Sequence, residues 1–451
     1  MTDDWNDPDA KSGVTNSVTE LLTQATSYYK HLFRHRDSLN NKRMLDFISQ
    51  KTFSPQASNS IDKQITAGEV RRAMSKLGRG KSPGPDGIPA EFYKTYSYLI
   101  ADEYHKVLME LFAEGSLDGS LNEGEITFLY KKGDPREMRN YRPITLLNVD
   151  FKILAKILTA RLLEHMNEFA SPQQNGFVPK RSIFDNVFLT QLVQAYLDET
   201  DEDGLIIFLD IEKAFDAVSW DYLLQAVQAS GLGPNFNKWI RMMCDSSNPP
   251  RRRVKGNGDK GEWFNIRSGV AQGSPISPLL FIFATECFTR AVTQDEHIAP
   301  SLGKQALKGV RINGTHFIIS QFADDTTLYL AGWARLPRMW ELLGEWADAT
   351  GLKCNRNKTE GMRCGRLKRA GTHYTGPGAE GIQWVKRGCW IRTLGIPVGE
   401  DFREEDFLIE KYNKCRRLFS TWGPYIVQYL TGYGRAMTRA RPTARCTARG
   451  H

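Results

Sequence analysis

Phe317-Ile-Ile-Ser-Gln-Phe322-Ala323-Asp324-Asp325-Thr-Thr-Leu-Tyr-Leu330 places two acidic residues between two apolar runs of strand length. Runs of this kind form buried strands, so carboxylates at their junction call for an explanation. Taken alone, an Asp-Asp pair between strands is also an ordinary polar hairpin tip. A second run, Gly204-Leu-Ile-Ile-Phe-Leu-Asp210, likewise ends on an aspartate. An unpaired charge at the end of a buried strand is costly, and such groups usually bind a cation or pair with a base.

If these two strands lie side by side, Asp210 and Asp324 face a common point and can hold two Mg²⁺ ions, with Mn²⁺ as a substitute, about 3.5–4 Å apart. Hard divalent cations take oxygen ligands, which aspartate supplies. Such a pair suits nucleotidyl transfer, one ion activating a hydroxyl and the other steadying a leaving pyrophosphate.

Working outward, helical spacing predicts a helix over Val18–Phe33, from Leu21, Ala25, Tyr28 and Leu32, followed by a loose polar connector over Ser38–Ser60. A helix over Ala67–Leu77 runs into the breaker cluster Gly78–Gly87, and Ile126–Tyr130 reads as a strand before a charged turn. Further helices carry Phe151, Leu154, Leu158 and Leu162; Trp220, Leu223 and Val227; Phe236, Trp239 and Met243; and Met339, Leu342 and Trp346. Asn257-Gly258 predicts a hairpin turn, since both residues tolerate positive φ. Pro275–Val292 reads as a buried helix, Gly381–Val398 as a hairpin and Phe402–Tyr429 as helical.

The 451 residues, 41% hydrophobic and 25% charged, suffice for two or three packed subdomains. The best apolar run, Leu279–Ala284, falls far short of the about 18 residues of a membrane helix, and Met1–Gly13 is polar. Membrane spanning and secretion are therefore not expected, and the expected setting is intracellular. Seven cysteines form no CxxC pair, arguing against a zinc site or a disulfide framework. The net charge of +8 fits a polyanionic partner, but Gly434–His451 alone holds five arginines and no acid. Local runs such as Lys131-Lys132 and Arg251-Arg252-Arg253 are more informative.

A series of blocks in order then resembles the reverse transcriptase family, in its non-LTR (LINE-like) retrotransposon branch. They are Gly80-Lys-Ser-Pro-Gly-Pro-Asp-Gly-Ile-Pro89, Asn140-Tyr-Arg-Pro-Ile-Thr-Leu-Leu147 and Gln174-Asn-Gly-Phe-Val-Pro-Lys-Arg181, then Phe208-Leu-Asp-Ile-Glu-Lys-Ala-Phe-Asp216, Gly269-Val-Ala-Gln-Gly-Ser-Pro-Ile-Ser-Pro278 and Phe322-Ala-Asp-Asp325, and finally Gly351-Leu-Lys-Cys-Asn-Arg-Asn-Lys358 and Leu394-Gly-Ile396. The resemblance covers roughly Ala67–Val398. Gly80-Lys81-Ser82 is not a P-loop, because Ser75 stands where its first glycine belongs and Pro83 and Pro85 block the following helix.

The resemblance implies an α+β right-hand polymerase, with an antiparallel palm sheet backed by helices and a truncated thumb. Its implied divisions are an N-terminal extension with one helix over 1–60, fingers over 61–200, palm over 201–400, the start of a thumb over 401–432 and a disordered basic tail over 433–451. It implies an RNA-directed DNA polymerase using an RNA template, a DNA primer and dNTPs. Asp210, Asp324 and Asp325 become catalytic metal ligands, with the Ile211 carbonyl beside them and Lys358 as the proton donor to pyrophosphate. Lys132 (or Lys131) and Arg142 hold the triphosphate, and Phe215 rejects a 2′-hydroxyl. Gln272 touches the nucleotide, Gly273 allows close backbone approach, and Leu394, Gly395 and Ile396 form a primer grip. Ala271 and Ser274 depart from the Arg and Cys common in the family. No endonuclease and no Cys/His knuckle are expected. The alternatives are a catalytically impaired nucleic-acid-binding fragment and a group II intron-like polymerase.

Overall fold

The computed structural model describes residues 17–117, 119–298, 306–370, 376–403, 405–417 and 420. It has mixed helix and sheet content and divides into two compact units, Met1–Trp384 and Val385–His451.

In the first unit the strands are β1 (Glu123–Tyr130), β2 (Tyr141–Leu147), β3 (Asp203–Leu209), β4 (Ile211–Glu212), β5 (Arg251–Gly256), β6 (Asp259–Lys260), β7 (Phe264–Asn265), β8 (Val310–Ile312), β9 (Thr315–Phe317), β10 (Ile319–Phe322), β11 (Asp325–Leu330), β12 (Lys353–Cys354), β13 (Glu360–Gly365) and β14 (Gln383–Trp384). One five-stranded sheet runs β2-β1-β5-β6 with β7 also on β5; the other runs β10-β11-β3-β13-β14. In the second sheet the first four strands are antiparallel, and the two-residue β14 is the parallel exception on β13.

β3 sits at the centre of that sheet because Leu205, Ile206 and Ile207 are apolar on both faces, and all three are fully buried. The helix Ile183–Thr200 packs against β3, β10 and β13, while the helix Ser277–Ile298 packs on Leu336–Thr350 and reaches β10. The Asn257-Gly258 turn forms as expected, with φ of 53° and 91° closing β5 onto β6.

Several expectations need correction. Among the described residues of the first 60 there are three helices instead of one: Val18–Leu32, Lys42–Ser49 and the start of Pro55–Ile61. Met44, Phe47 and Ile48 form a short apolar stripe, and Ser54 caps Ala57 N–H ahead of Pro55 at the first helical turn, so the "connector" is structured core. Strand β2 and the helices Ser97–Glu114 and Ile183–Thr200 were not anticipated. The last of these leaves Phe184, Phe188 and Leu192 exposed while burying Val187, Val193 and Leu197, so no single stripe marks it.

In the second unit, only Trp390–Thr393 and Ile396–Gly399 pair as a hairpin, shorter than the expected Gly381–Val398. Residues 405–417 are helical. The rest of the helix expected to Tyr429 and the basic tail lie outside the described residues. Among the described residues, no helix is long and apolar enough to cross a membrane.

Candidate active site

The decisive contact is the register of β3 on β11, in which Leu209 pairs with Thr326. One residue beyond that pair, Asp210 follows β3 and Asp325 begins β11, so the two ends carry their acids to the same edge. Asp324 occupies the corner between β10 and β11, where Phe322 and Asp325 form the last pair. Asp210 is half-buried, and Asp324 and Asp325 are exposed.

Although open to solvent, the corner lies among protein atoms that displace much of its water. That desolvation raises the Asp324 carboxyl, and the charge of Asp210 adds to it. Asp325 is pushed up to about 6, by desolvation first and then by the charges of Asp324 and Asp210. Lys131 and Arg142 act in the opposite direction on both groups and only partly offset the rise. The three acids are electrostatic neighbours, not a closed ligand set: among the described residues, no three His, Cys, Asp or Glu side chains converge as a metal cluster. Their hard oxygens and uncompensated negative charge nonetheless suit a divalent cation.

The remaining expected residues divide. Arg142, exposed on β2 opposite Leu129, joins the site. Of the two lysines, Lys131 acts on Asp324 and Asp325, whereas the charge of Lys132 falls on Glu360. Ile211 lies on β4, paired with Cys354 of β12. Lys358 is exposed on a short 3-10 turn (Arg356–Lys358), and its charge acts on Lys213.

Phe215 is half-buried, with one face stacked on fully buried Phe281 at 4.6 Å between ring centres and 18° between planes. Gln272 is turned inward: its Nε2 donates to both Asp216 carboxylate oxygens, at 2.9 and 3.0 Å. The close approach at Gly273 is made by the protein itself, since a Cβ there would stand 2.5 Å from the Thr145 carbonyl oxygen. The Thr145 N–H donates to the Gln272 carbonyl at 2.8 Å, pinning the loop to β2. Leu394, Gly395 and Ile396 belong to the second unit, where Leu394 and Gly395 make its hairpin turn with φ of 48° and 91°.

Two residues escaped the sequence reading. Asp216 is 1% exposed, and burial raises its carboxyl to about 7 despite the nearby Lys213 charge and the Gln272 hydrogen bond. Lys213, pushed down by burial, spans to the carbonyls of Arg139 and Tyr141 at 2.9 and 3.3 Å. An acid within the otherwise apolar Ala214-Phe-Asp-Ala217 was the available clue.

A family model described as "Reverse transcriptase (RNA-dependent DNA polymerase)" matches residues 130–387. The chain is 30% identical over 404 residues to the Xenopus laevis "Transposon TX1 uncharacterized 149 kDa protein", covering 88% of this chain and 30% of that one. It is 25% identical over 295 residues to the Drosophila melanogaster "Retrovirus-related Pol polyprotein from type-2 retrotransposable element R2DM", covering 65% and 26%. It is 24% identical over 311 residues to the Drosophila melanogaster "RNA-directed DNA polymerase from mobile element jockey", covering 65% and 31%. The chain thus spans less than a third of the length of these relatives.

Proposed function

Because the chain belongs to the reverse transcriptase family, we propose that it is an RNA-directed DNA polymerase of a LINE-like retrotransposon, extending a DNA primer with dNTPs on an RNA template. The observation that carries this reading is the β3–β11 register, which sets Asp210 beside the Asp324–Asp325 corner, itself within reach of Lys131 and Arg142 charge.

In this reading residues 61–200 are fingers, 201–400 palm and 401–432 the beginning of a thumb. Asp210, Asp324 and Asp325, with the Ile211 carbonyl, would hold two Mg²⁺ ions, and Mn²⁺ could replace them. When bound, the metal lowers the pKa of the primer 3′-hydroxyl and neutralises the leaving pyrophosphate. Arg142 grips phosphate oxygens bidentately and Lys131 adds a point charge. Phe215, held from behind by Phe281, presents a fixed ring under the incoming sugar and rejects a 2′-hydroxyl by contact. Gln272, tethered by Asp216, supports the nucleotide site from the palm loop. Lys358 serves as the proton donor to pyrophosphate, and the 394–396 turn grips the primer end. Nuclear or cytoplasmic ribonucleoprotein is the setting such a template and primer require.

The test is primer extension on a defined RNA template with dNTPs and Mg²⁺. The expected result is full copying by the parent, none by Asp324→Asn and none without divalent metal. Extension that survives Asp324→Asn overturns the metal assignment. Template binding without extension by the parent would favour the nucleic-acid-binding alternative.

A further inference from the structure

We infer that Gln174, distant in sequence from Asp324 and Asp325, is the positioning residue that fixes their corner in its metal-holding shape. The inference rests on the polymerase reading of that corner, but its observations are separate.

The corner between β10 and β11 has only two residues, Ala323 and Asp324, and Ala323 adopts φ of 59°. Two-residue hairpin turns that need positive φ at their first position ordinarily use glycine there. A residue with a Cβ is strained in that conformation, and such strain persists only where the surroundings over-determine it. The surroundings here are the Gln173–Gly176 segment.

Gln321 N–H donates to the Gln173 carbonyl and Asn175 N–H to the Gln321 carbonyl, both at 2.8 Å, which docks the segment beside β10 as a single parallel rung. Between these two bonds lies Gln174, fully buried. Its Oε1 accepts from Ala323 N–H at 3.0 Å and from Gly176 N–H at 2.9 Å, so one atom joins the strained corner to the docked segment. A Cβ at position 176 would lie 2.3 Å from the Ala323 nitrogen, so the fit also needs a glycine there. The segment itself is anchored by Arg181, which donates to the Gln174 carbonyl at 2.7 Å. Below the corner, the Gln321 amide donates to Thr326 Oγ1 at 3.2 Å and ties the two strands together. The carboxylates are thus placed by a side chain 149 residues upstream of Ala323. Loss of its acceptor oxygen would leave two buried N–H groups unpaired and free the corner to relax.

The experiment compares the parent with Gln174→Met, which keeps the length and removes the acceptor, Gln174→Glu, which keeps an oxygen there, and the double variant Gln174→Met/Ala323→Gly. Three readouts are taken: hydrogen exchange of the peptide spanning 318–328, Mn²⁺ binding by electron paramagnetic resonance, and primer extension. Gln174→Met is expected to exchange faster at the corner and to bind Mn²⁺ about 10-fold to 100-fold more weakly, the range typical of groups that orient metal ligands. It should keep its template–primer affinity. Gln174→Glu should recover part of the Mn²⁺ affinity. Glycine at 323 takes positive φ without strain, so the double variant should bind Mn²⁺ more tightly than Gln174→Met. Should Gln174→Met fail to fold, the double variant is compared with Ala323→Gly alone, and an equal Mn²⁺ affinity supports the brace.

Unchanged exchange and Mn²⁺ affinity in folded Gln174→Met would overturn it, as would strictly additive losses in the double variant. A parent that binds Mn²⁺ through Gln174-dependent geometry yet extends no primer sinks the polymerase reading and leaves the brace standing.

Discussion

On β1, Glu125 is 1% exposed and receives Arg253 at 2.6 Å and Lys255 and Lys260 at 3.0 Å each. At the β3–β11 edge, Asp324 and Asp325 are exposed, and among the described residues no ion pair closes on either. Burial pushes the Glu125 carboxyl up, but hydrogen bonds from Lys260, Lys255 and Arg253 outweigh it and bring it down to about 2. Asp325 moves the other way, to about 6. The first acid is saturated with cations and serves to join the strands around it; the second is left short of positive charge, at a place a soluble cation can reach. Charge balance therefore separates a structural cluster from an edge open to a cation, although both gather acids and bases on a sheet.

Substitution of Asp210 tests the contrast hardest. Asp210→Asn should lower single-turnover primer extension by about 10²-fold or more while leaving the melting temperature level or higher, because it relieves repulsion. Wild-type extension would make this edge a second structural cluster. Glu125→Gln should do the reverse. Urea unfolding is expected to show a loss of about 1–3 kcal/mol, less than the about 3–5 kcal/mol of a fully buried pair because Lys255 and Lys260 keep water. Extension per folded molecule should stay within about twofold of the parent, as expected for a site outside the chemistry.

Acidity gives opposite signs for the two acids. The depressed Glu125 carboxyl stabilises the fold above its unfolded value and loses that contribution as pH falls toward about 2. Asp325, raised to about 6, favours the folded state below its unfolded value and loses that contribution as pH rises through about 6. Protons and metal compete for Asp325, so Mn²⁺ affinity should fall by up to about tenfold per pH unit below that point. A titration between pH 5 and 7 that shows flat affinity would break the comparison. The smallest effect concerns the two lysines. Lys131→Ala should raise the KM for dNTP by about tenfold and Lys132→Ala by no more than about twofold, since Lys131 acts on Asp324 and Asp325 whereas Lys132 acts on Glu360.

The acids themselves were legible because apolar runs on either side fix where a strand must end; that the two strands lie side by side stood only as a condition, which the pairing of Leu209 with Thr326 meets. Lys131 and Lys132 could not be separated from composition, since the choice depends on which way the chain leaves β1. Gln272 was legible as a residue of the palm loop, but its partner was not: only the packed structure shows Asp216 1% exposed beneath that loop. Gln174 lies within the block Gln174–Arg181, yet nothing in the local sequence points to Ala323. The helices Lys42–Ser49 and Pro55–Ile61 are eight and seven residues long, too short for periodicity to outweigh the polar residues within and around them.

Those short helices constrain how the chain reaches its final form. Arg290 Nη1 donates to the carbonyls of Phe47 and Ile48 at 2.9 and 2.7 Å, and its Nη2 to that of Phe169 at 2.8 Å. During synthesis, Met44, Phe47 and Ile48 leave the ribosome more than two hundred residues ahead of the helix Ser277–Ile298 that covers them. At about 5–20 residues per second, that is an interval of tens of seconds in which an apolar surface waits for its partner. The helix Lys42–Ser49 therefore cannot complete its packing until the helix Ser277–Ile298 has been made.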